Sequence, residues 1–325
     1  MHPAFSVIFL TTLIGVGQGL FLAVYTGEVY GTLKLLPQQT HAFYVTGSII
    51  SLLFLGGGLL ASFFHLGHPE RAWRAASQWR TSWLSREVIV LPAVMGAVFV
   101  YGVVHLFGLR LSLIGIDTVL DNDLSMLVGA GGTALAFLLF LCTGMIYACI
   151  KFIKEWASPL TVINYTLLGL ASGFLLASVL ASLMAPDLQR FYVAWTLVIV
   201  AAGLVTRGAS LLRNARLKPQ SSLRTAIGVR HNRIQQRSQG QMGGSFNTRE
   251  FFHGAPDWLF RSIKWVFLVL VFAIPALLLA TSLGNGGFAL LLTAFVVQYL
   301  GLMAERWFFF AQANHPQNLY YQTVG

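Results

Sequence analysis

The sequence predicts an all-α protein, a polytopic membrane bundle of about eight transmembrane helices with both termini in the cytoplasm. Three observations carry the prediction. The chain is 56% hydrophobic and only 10% charged, with a mean hydropathy of +0.70, which excludes a soluble domain. Apolar runs long enough to cross a hydrocarbon core of about 30 Å recur along its whole length. Basic residues gather on alternate connections between those runs.

The runs fall at 5–31, 42–64, 86–108, 124–150, 160–184, 190–212, 260–281 and 285–310. The first has no Lys or Arg ahead of it and continues to near Glu28, too long for a cleaved signal, so it reads as a span. It carries a mid-span amide, Gln18, between glycines in GVGQG; in lipid such a group needs a partner in the bundle or in a ligand. The second run is uncharged from Phe43 to Phe64. A polar stretch follows, HLGHPERAWRAASQWRTSWLSRE from His65 to Glu87, with two His, two Glu, four Arg and three Trp. The third run opens behind Ser85, the expected N-cap, with Glu87 in its first turn.

The fourth run holds both cysteines, Cys142 and Cys149. They are separated by about 10 Å of helical rise, too far for a disulfide, and two thiolates are too few for an iron–sulfur cluster. Both read as small apolar residues of the span. Between the sixth and seventh runs lies a basic loop, 213–259, rich in Arg, Gln, Ser and Gly. It reads as cytoplasmic, lying on anionic lipid or docking a partner. Its end, FFHGAPDWLF, reads as an interfacial anchor. Residues 311–325 form a polar, aromatic tail, cytoplasmic on the same reading, with the last helix expected to stop before Pro316. No internal repeat is visible, so 1–325 is one membrane domain.

With eight spans, the termini and the even-numbered connections share a side. Of the 21 Lys and Arg residues, 18 fall there, counting Arg207 with the long loop and Arg306 with the C-terminal end. Lys34, Arg110 and Arg190 fall opposite. The positive-inside rule therefore places the His65–Glu87 stretch in the cytoplasm. The net charge of +10 reports topology and anionic lipid, not nucleic acid.

Ionisable groups at the mouth of two spans are expensive to place and mark a functional site. Quinone chemistry needs a donor that exchanges protons and a route to water. Histidine and a buried carboxylate suit both tasks. His65 closes the second span and Glu87 opens the third, at similar depth. Structural readings compete: His65 as a C-terminal cap, Glu87 as a partner of the helix dipole. Arg86, beside Glu87, is expected in an ion pair or on the quinone. Trp83, like Trp73 and Trp79, is an interfacial belt residue or, at this mouth, a quinone contact. Glu28 and Tyr25 lie near the opposite face and belong to a different environment. Haem b needs two facing histidines; His65 and His105 stand at opposite ends, and only a His41–His105 pair stays open.

HLGHPERAW followed by SWLSREV resembles the DmsC-like anchor subunits of dimethyl sulfoxide reductase and its relatives, which also have eight spans. The end of the chain from Glu305 to Gln322 is more similar to the SoeC anchors of membrane-bound cytoplasmic sulfite dehydrogenases. The resemblance implies an anchor in the bacterial inner membrane that binds no metal or haem itself. It implies partners on the cytoplasmic side, an iron–sulfur electron-transfer subunit and a molybdopterin catalytic subunit. It implies exchange of electrons with ubiquinone or menaquinone, and the family's quinone-site histidine and glutamate fall on His65 and Glu87. In the dimethyl sulfoxide reductases the catalytic subunits sit outside the membrane, whereas the charge count here puts the same loop inside, so sulfite oxidation is the expected partner reaction. The alternatives are an anchor that oxidises quinol, a passive anchor, and a transporter, which would carry polar groups and broken helices near the midplane.

Overall fold

The structure is a computed structural model that describes residues 3–64, 66–109, 123–218, 257–285 and 287–313, with a few single positions between 219 and 256. His65, nearly all of the 219–256 stretch, and the tail from 314 onward, with His315 and Pro316, lie outside the described residues.

The described chain is helical, with eight helices long and apolar enough to cross a membrane. They are α1 (Pro3–Thr32), α2 (His41–Phe63), α3 (Trp83–Phe107), α4 (Asp123–Ala148), α5 (Pro159–Met184) and α6 (Pro186–Ala215). The seventh span is α7 (Asp257–Leu268), a π turn (Val269–Ala273) and α8 (Ile274–Asn285); the eighth is α9 (Phe288–Ala311).

Two central helices, α1 and α5, have mostly buried span windows and touch backbone to backbone. A Cβ built on Gly173 would lie 2.0 Å from the Gly19 carbonyl carbon, so only glycine fits the crossing. The other helices pack around this pair and leave apolar faces outward, as a lipid-facing bundle requires.

The π turn has a local cause. Pro275, one residue into α8, has no N–H to give the Val271 carbonyl four residues earlier. That carbonyl instead accepts a hydrogen bond from Gln298 Nε2 of α9 at 3.3 Å. The eighth span thus supplies the bond that the seventh cannot make for itself.

Several boundaries differ from those read in the sequence. Helix α3 begins at Trp83 rather than 86, because Ser82 is its N-cap: its side chain accepts from the Ser85 N–H at 3.3 Å. Ser85 is buried within the first turn. Helix α6 starts at Pro186, with Ala185 alone separating it from α5. Cys142 is buried in α4, but Cys149 lies just past its end and is exposed.

The larger corrections concern charge. Arg207 is not part of the long loop; it lies inside α6 and is 1% exposed. Arg306, counted with the C-terminal end, is a buried position of α9, as is its neighbour Glu305. The 18 basic residues on one side become sixteen against three once these two leave the loops. The asymmetry survives the correction.

Candidate functional site

The polar stretch before α3 folds as a 3₁₀ helix, Pro69–Gln78, packed on α3. Its cations and rings pair along the chain. Arg74 lies over Trp73, Arg80 over Trp79 and Arg86 over Trp83, the last at 4.2 Å from the ring centroid. Trp73 and Trp79 remain more than half exposed, so this chain leaves their faces to lipid or to another protein.

Arg86 does not pair with Glu87. Neighbouring side chains on a helix diverge by about 100° and do not face each other. Arg86 turns back to the loop and donates to the Trp79 and Arg80 carbonyls at 2.9 and 2.8 Å. It seals the end of the 3₁₀ helix against the start of α3, with half-buried Trp83 beneath it.

Glu87 points the other way, into the bundle. It is 7% exposed, and its one hydrogen-bond partner among the described residues is Thr143 of α4, whose hydroxyl donates at 2.5 Å. A buried carboxyl with a single donor retains capacity for a further polar partner. One helical turn beyond Thr143, Tyr147 stacks on Tyr165 of α5, with ring centroids 5.6 Å apart. Arg306 of α9 lies 3.6 Å from the centroid of the Tyr165 ring. Arg306 pairs with Glu305 at 2.9 Å, and Glu305 pairs with Arg207 of α6 at 2.8 Å. Five helices therefore contribute to one buried polar train behind Glu87. Arg207 Nη2 ends it without a hydrogen-bond partner among the described residues.

Sequence reasoning missed this train, although one signal was present. Arg207 interrupts an apolar run, LVIVAAGLVTRGASLL, and a charge inside a span is itself a pointer.

Gln18, the other polar group expected at the site, is 2% exposed in the middle of α1, and its Oε1 has no hydrogen-bond partner among the described residues. No contact joins it to Glu87. At the same end of the bundle as Glu87, α1 and α2 frame an apolar groove of about 450 Å³, lined by Ser6, Phe9, Leu13, Leu60 and Phe64 among others. Its last lining residue is the immediate neighbour of His65 in the chain.

The opposite end of α3 carries a second cluster. His105, in the last turn, lies 3.2 Å from Glu28 of α1 and 3.2 Å from His41 of α2. The His41–His105 pair left open in the sequence is therefore a direct nitrogen-to-nitrogen contact. Glu28 and Tyr25 belong here, away from Glu87, as their positions along α1 implied.

Among the described residues no group of three or more His, Cys, Asp or Glu is arranged to hold a metal ion. Comparison with known proteins gives two matches. Residues 1–312 match the family model described as the DMSO reductase anchor subunit (DmsC). The chain is 55% identical over 324 residues to the C-subunit of the sulfite dehydrogenase of Allochromatium vinosum, covering 100% of both chains.

Proposed function

The chain belongs to the DMSO reductase anchor subunit family, and from that premise we propose that it is the quinone-reactive subunit of a sulfite-oxidising molybdopterin complex. It is a multi-pass protein of the bacterial inner membrane and the membrane anchor of an oxidoreductase. Beyond that, the reading rests on one observation above all: a buried carboxyl, Glu87, at the mouth of a span, hydrogen-bonded by Thr143 alone among the described residues.

The residues present fit a quinone. The groove between α1 and α2 is apolar and, at about 450 Å³, roomy enough for part of a prenyl tail, and Phe64, which lines it, precedes His65 in the chain. Glu87 and Gln18 offer unused polar capacity inside the bundle. Quinone supplies the chemistry of accepting two electrons and two protons at its ring oxygens.

The protein's part is placement and proton handling. Glu87 holds a proton at a carboxyl oxygen and delivers it to a ring oxygen; Thr143 fixes the rotamer in which it does so. His65 is the donor to the second ring oxygen. Arg207 and Arg306 outnumber Glu305 in the buried train, so the field behind Glu87 is positive and favours a negative charge at that end of the bundle. Arg86 and Trp83 hold the end of the 3₁₀ helix against the start of α3, beside Glu87, and cytoplasmic water is the proton source for Glu87.

The basic asymmetry of the connections supports a cytoplasmic position for both termini, for the 65–87 loop, and for the iron–sulfur and molybdopterin partners. The exposed Arg and Trp residues of the 3₁₀ helix suit an acidic partner face. Sulfite as the partner's substrate follows the name of the Allochromatium vinosum relative. Quinol oxidation, as in dimethyl sulfoxide reductase, would use the same groups in reverse.

The test is to purify the chain with the subunits it retains, assay molybdenum, iron–sulfur signals and extractable quinone, and follow sulfite-driven quinone reduction. Bound quinone with sulfite-dependent turnover is the expected result. A chain that carries no quinone and no partner subunit would overturn the proposal.

A further inference from the structure

The cluster at the far end of α3 has no part in the chemistry at Glu87. His105 and Glu87 are 18 residues apart on one helix, a rise of about 27 Å, close to the thickness of the hydrocarbon core. Between them the buried residues on α3 include Val90, Leu91, Val94 and Val98, all apolar. Whatever this cluster binds is exchanged with its own face of the membrane.

Its geometry is specific. Glu28 is 2% exposed and accepts from the Tyr101 hydroxyl and the Ser125 hydroxyl, each at 2.6 Å. His105 Nε2 stands 3.2 Å from Glu28 Oε1. His105 is 3% exposed, stacked on Tyr44 at 4.5 Å and edge-on to Tyr101 at 4.7 Å. Its other ring nitrogen, Nδ1, lies 3.2 Å from Nδ1 of His41. His41 opens α2 and is exposed. One exposed imidazole thus touches one buried imidazole, which touches one buried carboxylate.

An Nδ1-to-Nδ1 contact constrains the protons. One of the two nitrogens must carry a hydrogen and the other must accept it. The His105 Nε2, 3.2 Å from a carboxylate oxygen though not aligned on it as a hydrogen bond, carries hydrogen in preference to a bare lone pair; the His105 Nδ1 is then bare and accepts Nδ1–H from His41. The His41 Nε2 is then bare as well. We infer that His41, His105 and Glu28 form a one-proton relay site, loaded from the aqueous face opposite Glu87.

The loading step balances as follows. Water on that face gives a proton to His41 Nε2. His41 passes its Nδ1 proton to His105 Nδ1 and returns to neutral, now with hydrogen on Nε2. His105 becomes an imidazolium beside the Glu28 carboxylate. One proton has entered, no electron has moved, and the buried negative charge of Glu28 is neutralised within a low-dielectric site. The groups packed around the relay are Tyr25 from α1, Tyr44 from α2, Tyr101 from α3 and Ser125 from α4. Tyr192 of α6 lies within electrostatic reach of Tyr44 and Tyr101. Among the described residues none of these is a cation, so there the entering proton is the positive charge that the buried carboxylate meets.

The experiment is nitrogen NMR of ¹⁵N-histidine in the purified complex held in nanodiscs, titrated across the range of about pH 5 to 8 in which imidazole changes charge. His105→Gln and His41→Gln identify the two signals. The expected result is that His105, though buried, converts to imidazolium as pH falls, and that His41→Phe, which keeps an aromatic ring at the exposed start of α2, abolishes that titration. Glu28→Gln is expected to abolish it too. A His105 signal that keeps one protonation state throughout, or one that titrates unchanged in His41→Phe, would overturn the relay. The readout needs no quinone, so its failure is distinct from failure of the quinone reading.

Discussion

Replacing Glu305 by Gln should be among the most damaging single changes in the molecule, and more damaging than replacing Arg207 by Met. Glu305 lies 2.8 Å from Arg207 and 2.9 Å from Arg306, and all three side chains are at most 5% exposed. At an effective dielectric constant of about 20, each contact is an attraction of about 6 kcal/mol. Glu305→Gln removes both attractions and leaves two arginines buried side by side. It recovers only the several kcal/mol of desolvation that the carboxylate itself cost, so a net loss of about 3–5 kcal/mol follows. Arg207→Met removes one attraction, but it also removes the repulsion between the arginines and leaves a neutral Glu305–Arg306 pair. The rings of Phe267 and Phe308, which now flank the guanidinium, pack well on a thioether side chain. Its cost is expected to be below about 2 kcal/mol. The assay is the denaturation midpoint of the detergent-solubilised chain in an SDS titration. If Arg207→Met were destabilised as much as Glu305→Gln, the charge reasoning would be wrong.

Four further substitutions have definite expected outcomes. Gln18→Leu removes an amide whose buried Oε1 has no partner among the described residues, so stability should hold level or rise by up to about 1–3 kcal/mol while quinone content of the purified complex falls; lower stability with normal quinone content would contradict it. Gly173→Val drives side-chain atoms into the backbone of α1 and should leave little folded protein in a size-exclusion assay, whereas Gly208→Ala, with nothing near its Cβ position, should be tolerated. Arg86→Ala loses two bonds to loop carbonyls and a ring contact at an exposed site, so stability should shift by about 1 kcal/mol or less. Cleavage within the 69–82 loop under limited proteolysis should nevertheless become faster.

The eight spans were legible because hydropathy over some twenty residues is a local property. The 3₁₀ helix at 69–78 was not, since its residues promise only a polar loop. Ser82 rather than Ser85 caps α3 because the helix reaches three residues further back, and two nearby serines offer no sequence signal to choose between them. Glu87 was legible as a charge at the edge of an apolar run. The train behind it was not: Arg207 and Glu305 meet only because α6 and α9 pack near one another through the seventh span, and each stood close enough to a helix end to pass for a loop or tail charge. His41 and His105, 64 residues apart, were seen as a pair but not as a contact, because spacing gives depth along a helix and not the face it turns.

The central claim is that Glu87 moves protons for the quinone, and the most direct measurement is sulfite-driven quinone reduction by the assembled complex carrying Glu87→Gln. Gln keeps the shape and the contact with Thr143 but holds no transferable proton. Turnover is predicted to fall by about 10²-fold or more, with the same subunits and the same molybdenum content as the wild type and with bound quinone retained. Turnover within a factor of two of wild type would contradict the account and return Glu87 to a purely structural role at the start of α3.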